Sequence, residues 1–411
     1  MGQSGCRSCG ATLERTVIDL GMSPLANSYI KPDQLNRMEP FYPLHVYVCE
    51  KCLLVQLKQF AAPHDIFSDY AYFSSFSDSW LAHAKAYVDM IVGRFGLDRS
   101  SKVVEIASND GYLLQNFVSR GISALGVEPA SNIAEVAKKK GIQTKVAFFG
   151  ENTARDVAAD GWAADLIIGN NVLAHVPDLN DFVKGLKVLL KPTGLITMEF
   201  PHLLQLMQQN QFDTIYHEHF SYFSFLAVEQ VFARHGMKLF DVEELSTHGG
   251  SLRIYACHND DTSKPVQARA KELKSREETA GFGRLNHYLS FGPRVEATKR
   301  KVLSFLISAK QEGKHVVGYG APAKGNTLLN YCGIRTDLIG YTVDRSPHKQ
   351  GHFLPGVHIP IYGPERVRDT RPDYLLILPW NIREEVMQQM SYIREWGGKF
   401  VVPIPEVQVH S

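Results

Sequence analysis

Three clusters in this chain have the residue types and spacing to do chemistry, and a fourth has those of a binding loop. The first runs from Val103 to Leu114. An apolar strand pattern (Val103, Val104, Ile106) breaks into Ala107-Ser108-Asn109-Asp110-Gly111, and a helical pattern follows from Tyr112 to Val118. A strand, a tight loop of small residues and a helix is how an open α/β sheet builds a nucleoside pocket. About one strand later, Leu125-Gly126-Val127-Glu128-Pro129 ends in a carboxylate placed to accept ribose hydroxyls. A dinucleotide would want Gly-x-Gly-x-x-Gly, so that a pyrophosphate meets a helix N-terminus. Asn109 and Asp110 hold that turn instead, and an acid there repels phosphate. A cationic or zwitterionic ligand suits it better, and S-adenosylmethionine carries both a sulfonium and an ammonium. Glu105, Ser108 and Asp110 read as its amino-acid clamp, with Ala107, Asn109, Gly111, Glu128 and Pro129 as further contacts. An ordinary βα turn is the plainer alternative.

The second cluster is Tyr216-His217-Glu218-His219, inside a polar and aromatic stretch that includes Tyr222. A base near neutral pH beside a carboxylate and a phenol is what proton abstraction next to a carbonyl needs. Tyr216, Glu218 and His219 are the candidates. A metal reading is weaker, because His-x-His on a helix splays its side chains about 200° apart and no His-Glu-x-x-His is present.

The third is a pair of Cys-x-x-Cys knuckles, Cys6 with Cys9 and Cys49 with Cys52. Four thiolates make the tetrahedral set that a structural zinc prefers and leave no open position. Disulfides compete, and a reducing cytosol argues against them. Cys257 and Cys332 stand apart and read as buried thiols.

The binding loop lies near the C-terminus: Gly318-Tyr319-Gly320-Ala321-Pro322-Ala323-Lys324-Gly325-Asn326 follows an apolar strand and opens a helix. Backbone N–H groups, a lysine and no acid suit phosphates. Gly320, Lys324 and Asn326 are therefore candidate contacts to a nucleoside diphosphate, with an NAD site as the rival.

Elements must position these groups. Leu81, Ala84, Val88, Ile91 and Val92 recur at helical spacing from Trp80 to Phe95. A helix over Ile133–Lys140 precedes a predicted strand over Gln143–Phe149, whose Phe148 and Phe149 are suited to stacking an adenine. The next strand ends at Asn170 and Asn171, where the reaction face of such a sheet lies, and His175 follows as a substrate contact or helix cap. His248-Gly249-Gly250-Ser251 turns into a strand and either closes a hairpin or brings polar groups to the substrate. The aromatic run Tyr70 to Trp80, with Tyr72 and Phe76, is either inter-domain packing or a lid. Lys264-Pro265 opens a polar helical connector, and strands at Leu338–Val343 and Tyr374–Leu378 complete a second βα unit.

At 411 residues the chain is too long for one core. With a net charge of +1, nothing argues for a broad nucleic-acid or membrane-binding surface. No run reaches the roughly 18 apolar residues of a membrane span, and no signal-peptide pattern opens the chain. The expectation is a cytoplasmic monomer with a small-molecule substrate.

These motifs together resemble the sugar C-methyltransferases that act on nucleotide-activated 4-keto-deoxyhexoses. The resemblance rests on the four-cysteine module, Val-Val-Glu-Ile-x-Ser-Asn-Asp-Gly, Tyr-His-Glu-His and Gly-Tyr-Gly-Ala-x-Ala-Lys-Gly, and it spans nearly the whole chain. It implies an α/β protein of three domains. These are a zinc-binding module over 1–68, a class I methyltransferase Rossmann-like domain over 69–260, and a second Rossmann-like domain over 261–411 that contributes to the nucleotide sugar. It also implies S-adenosylmethionine and structural zinc as cofactors, and it places Tyr216, Glu218, His219 and His175 at the sugar. Tyr72, Phe76, Tyr222 and His248 join the substrate set. Two departures stand out: Ala107 where the loop commonly has Gly, and Phe76 where many relatives place Tyr. The expected reaction is methylation at C3 of the ketohexose. O- or N-methylation, or a non-catalytic nucleotide-sugar-binding adaptor, are the alternatives.

Overall fold

A computed structural model describes residues 5–60, 74–76 and 78–411. Tyr72 and the side chain of Phe76 lie outside the described residues. The chain crosses between two compact units. One takes Met1–Leu13, Cys49–His202 and Phe220–Gly283, and the other takes Glu14–Val48, Leu203–His219 and Arg284–Ser411.

In chain order, β1 (Arg15–Ser23) and β2 (Tyr42–Val48) form an antiparallel pair in the second unit. Leu44, Val46 and Val48 alternate inward along β2, the period of a half-buried strand. In the first unit, β3 (Val55–Leu57) pairs antiparallel with β9 (Ser221–Tyr222).

The core of the first unit is a seven-stranded sheet in the order β10-β11-β8-β7-β4-β5-β6. Its strands are β4 (Lys102–Ile106), β5 (Ser123–Glu128), β6 (Gln143–Val146), β7 (Ala164–Asn170), β8 (Leu190–Pro201), β10 (Met237–Leu245) and β11 (Ser251–His258). β4 to β8 run parallel, and β11 enters antiparallel between β8 and β10. Val103, Val104 and Ile106 are all buried, as a parallel strand covered on both faces requires. The helix Asp78–Phe95 buries Ala84, Tyr87, Val88 and Ile91 against this core. From β4 the chain winds outward through β5 and β6, then returns to β7 on the other side of β4. That reversal opens a crevice beyond the carboxyl ends of β4 and β7, where ligands of doubly wound sheets bind.

The second unit repeats the plan with six strands in the order β14-β13-β12-β15-β16-β17. They are β12 (Val316–Tyr319), β13 (Thr342–Val343), β14 (Ile361–Tyr362), β15 (Tyr374–Ile377), β16 (Lys399–Val402) and β17 (Gln408–His410). All pair parallel except β16 with β17. Its reversal lies between β12 and β15. The two Rossmann-like sheets expected from the sequence are thus both present.

Two strands are shorter than the sequence reading by three residues or more. β6 stops at Val146, because the chain turns at Gly150 into the helix Glu151–Val157, and Thr153 caps the Phe148 carbonyl from that helix. β13 keeps only Thr342 and Val343, because Leu338 and Ile339 close a turn onto the Arg335 carbonyl. Among the described residues no helix is long and apolar enough to cross a membrane.

Candidate functional site

The loop after β4 occupies the first crevice. Ala107 and Asn109 both take positive φ (55° and 50°), as does Gly111 (76°). Such backbone is costly for a side chain, so a Gly in place of Ala107 would relieve it. Gly111 has a second reason to be glycine: a Cβ there would lie 2.8 Å from Cγ1 of Ile142.

Carboxylates line this loop. Glu105 is buried with no hydrogen-bond partner for either oxygen, and Oδ1 of Asp110 and the hydroxyl of Ser108 are likewise unmatched among the described residues. Burial, then the neighbouring Glu128 and Asp110, pushes Glu105 well above the usual carboxylate range. Unmatched buried acceptors cost free energy unless a ligand supplies donors, and an ammonium is the donor that fits the two acids Glu105 and Asp110. Glu128 accepts from the N–H of Asn109 (2.9 Å) and of Ala130 (2.9 Å), so the carboxylate expected at the ribose also pins the loop. Pro129 lies between those two contacts in sequence. Asp110 accepts from Ser75 and from Lys140 (3.1 Å).

Asn170 ends β7, and its side chain joins Trp80 in hydrogen-bonding the Tyr112 hydroxyl. Asn171 (φ 53°) bonds His248 at Nε2 (3.2 Å), which itself has a positive φ of 55°. The Trp80 ring stacks on His83 and Tyr112 and tilts against His248. Behind them Glu199, fully buried on β8, meets His83 (3.0 Å), Arg253 (3.0 Å) and Thr247 (3.0 Å). Burial opposes ionisation of Glu199, but these partners outweigh it and hold the carboxylate below its ordinary range. Trp80 closes the aromatic run weighed above as packing or a lid, whereas Tyr112 and the Glu199 network read in the sequence only as a helix start and strand interiors. Phe149 packs edge-on against Phe182 (5.3 Å), while Phe148 is exposed. His175 closes a short 3-10 turn, Leu173–His175. Tyr222 is buried on β9.

The Tyr-His-Glu-His stretch belongs to the second unit and forms a turn rather than a helix. The His219 amide donates to the Tyr216 carbonyl (2.9 Å), and the two rings lie 4.1 Å apart. Nδ1 of His219 donates to the Thr214 carbonyl (2.8 Å). That bond fixes the neutral tautomer and puts the basic lone pair on Nε2. Oε1 of Glu218 accepts from Asn27 (2.6 Å), a contact across 191 residues that no local pattern announces. His217 points elsewhere, edge-on to Tyr42, and burial lowers its affinity for a proton.

The same unit places this turn at the reversal of its own sheet. Thr327 donates to the Ile215 carbonyl (3.0 Å), and Trp380, just past β15, donates to Asp213 (2.7 Å). Gly320 (φ 87°) leaves no room for a Cβ, which would lie 2.6 Å from Pro379. Lys324 bonds Asn381 (2.8 Å) and lies over the Trp380 ring, and burial lowers its proton affinity. Asn326 is fully buried with its Nδ2 unmatched among the described residues. The loop itself carries no acid, but Asp344, at the end of the adjacent parallel strand, accepts from the Ala321 N–H (2.7 Å).

Burial pushes Asp213 up to about 7, against the pull of Lys324 and the Trp380 donor. A carboxyl raised this way stabilises the fold below its unfolded value and loses that contribution as pH rises through about 7. Asp213→Asn, which keeps an acceptor for Trp380, should flatten the decline in melting temperature between about pH 4 and pH 7. An unchanged slope would remove Asp213 as its source.

The four cysteine sulfurs lie within 4.8 Å of one another, with Cys6–Cys52 and Cys9–Cys49 each at 3.5 Å. Zn–S bonds of about 2.3 Å in a tetrahedron put sulfurs about 3.8 Å apart, so the set fits zinc. Among the described residues it is the only cluster that could hold a metal.

Three family models match the chain in succession: a zinc binding domain over residues 6–67, a methyltransferase domain over 80–242, and a C-methyltransferase C-terminal domain over 246–405. The chain is similar to the C-methyltransferase NovU of Streptomyces niveus, at 37% identity over 99% of this chain and 96% of that one. It is also 30% identical to a ubiquinone biosynthesis O-methyltransferase of Bartonella bacilliformis, but over only 23% of this chain and 39% of that one. Among solved structures, the PH0226 protein of Pyrococcus horikoshii OT3 matches 48% of this chain and 99% of its own, at 15% identity and a TM-score of 0.35. That last likeness adds nothing to the assignment.

Proposed function

This chain belongs to the S-adenosylmethionine-dependent C-methyltransferases, and from that premise we propose that it methylates C3 of a 4-keto-deoxyhexose carried on a nucleoside diphosphate. The observation that carries the reading is the His219 tautomer. Carbon methylation needs an acidic C–H and a base to take its proton, and a ketone supplies the first. His219, held at Nδ1 by the Thr214 carbonyl, offers Nε2 as that base. Glu218, anchored by Asn27, adds the negative charge that favours the imidazolium. The Tyr216 hydroxyl donates to the enolate oxygen as charge develops on it, and His175 contacts the sugar. Bound S-adenosylmethionine supplies the electrophilic methyl that the C3 carbon takes up. Glu105, Ser108 and Asp110 hold its amino-acid end, Glu128 its ribose, and Asn170 and Asn171 border the same crevice. The Gly320–Asn326 loop, with Lys324, serves the diphosphate. Orientation of the two reactants is the main source of rate.

Calorimetry tests this directly: titrate S-adenosylhomocysteine, then dTDP and GDP in its presence. Binding of the cofactor product and of one nucleotide is expected, and the nucleotide chooses the base. Cofactor binding with neither nucleotide would point to a different small-molecule acceptor.

A further inference from the structure

Arg7 sits between two of the cysteine ligands, and its guanidinium does none of the things a surface arginine does. The residue is 8% exposed. Its Nη1 donates to the carbonyls of Leu57 (2.6 Å) and Phe220 (2.9 Å), and its Nε donates to the carbonyl of Pro177 (3.1 Å). The guanidinium carbon also lies 5.4 Å from the centre of the Phe220 ring. Its backbone is tied to the sulfur cluster through Gln56, whose Oε1 accepts from the Arg7 N–H (2.9 Å) while its Nε2 donates to the Cys6 sulfur (3.2 Å).

The carbonyls that Arg7 gathers are not arbitrary. Phe220 directly follows His219. Pro177 lies two residues past His175, and the Phe220 N–H donates to the carbonyl of Ala174, directly before His175 (2.7 Å). The His175 loop is therefore bracketed, with Ala174 bonded to Phe220 and Pro177 bonded to Arg7. The Phe220 carbonyl also accepts from the Leu57 N–H (3.0 Å), one residue beyond the β3–β9 pairing. A planar fork with fixed donor directions can hold several carbonyls in one arrangement, which a lysine cannot copy.

We infer that Arg7 is a positioning residue for methyl transfer: it ties the cysteine knuckle to the loop that carries His175 and to Phe220, the residue that follows His219 in the chain. The inference rests on the reading that these two histidines serve the reaction. It gives the metal module a role beyond holding its own fold, since metal binding orders Cys6 and Cys9 and so the residue between them.

The test compares Arg7→Lys and Arg7→Met with His219→Asn, reading zinc content, S-adenosylhomocysteine affinity, and kcat and KM with a dTDP-linked or GDP-linked 4-keto-deoxyhexose. Arg7→Lys should fold, keep its zinc and bind the cofactor product within about twofold of the parent. Its kcat should fall about 10- to 100-fold, the cost of a small misplacement of reacting groups, with KM changed far less. Arg7→Met should fall further on the same pattern, so that lysine partly rescues it. An Arg7→Lys enzyme with full kcat while His219→Asn is inactive would overturn the positioning role and leave the histidine reading intact. Full turnover by His219→Asn would instead sink that reading. Loss of zinc and cofactor binding in both Arg7 variants would also overturn the proposal, because it would make Arg7 a residue of stability alone.

Discussion

His219→Asn should lower turnover by about 10²- to 10⁴-fold, the usual share of a general base, while S-adenosylhomocysteine binds as before. The substitution suits the site because the Asn amide can still donate to the Thr214 carbonyl that holds Nδ1 of the histidine. The turn is therefore retained and the basic Nε2 is removed. A second readout separates proton abstraction from methyl transfer. With S-adenosylhomocysteine in place of the methyl donor, the parent enzyme should exchange the C3 proton of the keto sugar with deuterium from solvent. His219→Asn should not. Tyr216→Phe discriminates further, since the Tyr216 ring lies against the His219 ring. If Tyr216 only steadies the enolate oxygen, its loss slows exchange without abolishing it. Abolished exchange in Tyr216→Phe beside surviving exchange in His219→Asn would pass the role of base to the phenol, and full turnover in His219→Asn would end the assignment.

What could be read in the sequence was whatever depends on neighbours in the chain. The Val103–Gly111 loop was legible because a strand, a break of small residues and a helix follow in unbroken order. The cysteine knuckles were legible because each pair is spaced within one turn of chain. The partners of these groups were not. Asn27 reaches Glu218 across 191 residues, Trp380 reaches Asp213 across 167, and Arg7 reaches Phe220 across 213. Nothing in the local pattern of Asn27 or Arg7 marks it as more than a polar loop residue. The contact of Asp344 with Ala321 escaped for the same reason: Asp344 follows a two-residue strand, and only the parallel pairing of β12 with β13 sets it beside that loop. The Tyr-His-Glu-His stretch shows the opposite error. Helical geometry was the ground for discounting a histidine metal site, yet the stretch is a turn, because the Thr214 carbonyl and the Tyr216 carbonyl capture His219.

Cys52→Ser should strip the metal from the protein and cost it much of its stability. A structural zinc contributes about 10–16 kcal/mol of apparent binding free energy in small metal-folded domains, comparable with the 5–15 kcal/mol that holds a typical domain together. The regular structure beside the knuckles is short: β3 is three residues long, and it pairs with the two-residue β9. Zinc content should drop from about one per chain to near none, and melting should fall by more than about 10 °C, since 1 kcal/mol is worth roughly 2–4 °C in a domain of this size. Cys257→Ser and Cys332→Ser are the controls. Both thiols are buried outside the cluster, where burial raises them, to about 11 and about 12. Those variants should lose some packing and keep the metal. The seven-stranded sheet takes none of its strands from the knuckles, so S-adenosylhomocysteine binding in Cys52→Ser should weaken less than turnover does. Equal loss of both would mean that the metal holds up the cofactor crevice itself, and a Cys52→Ser protein that kept one zinc and its melting temperature would remove Cys52 from the ligand set.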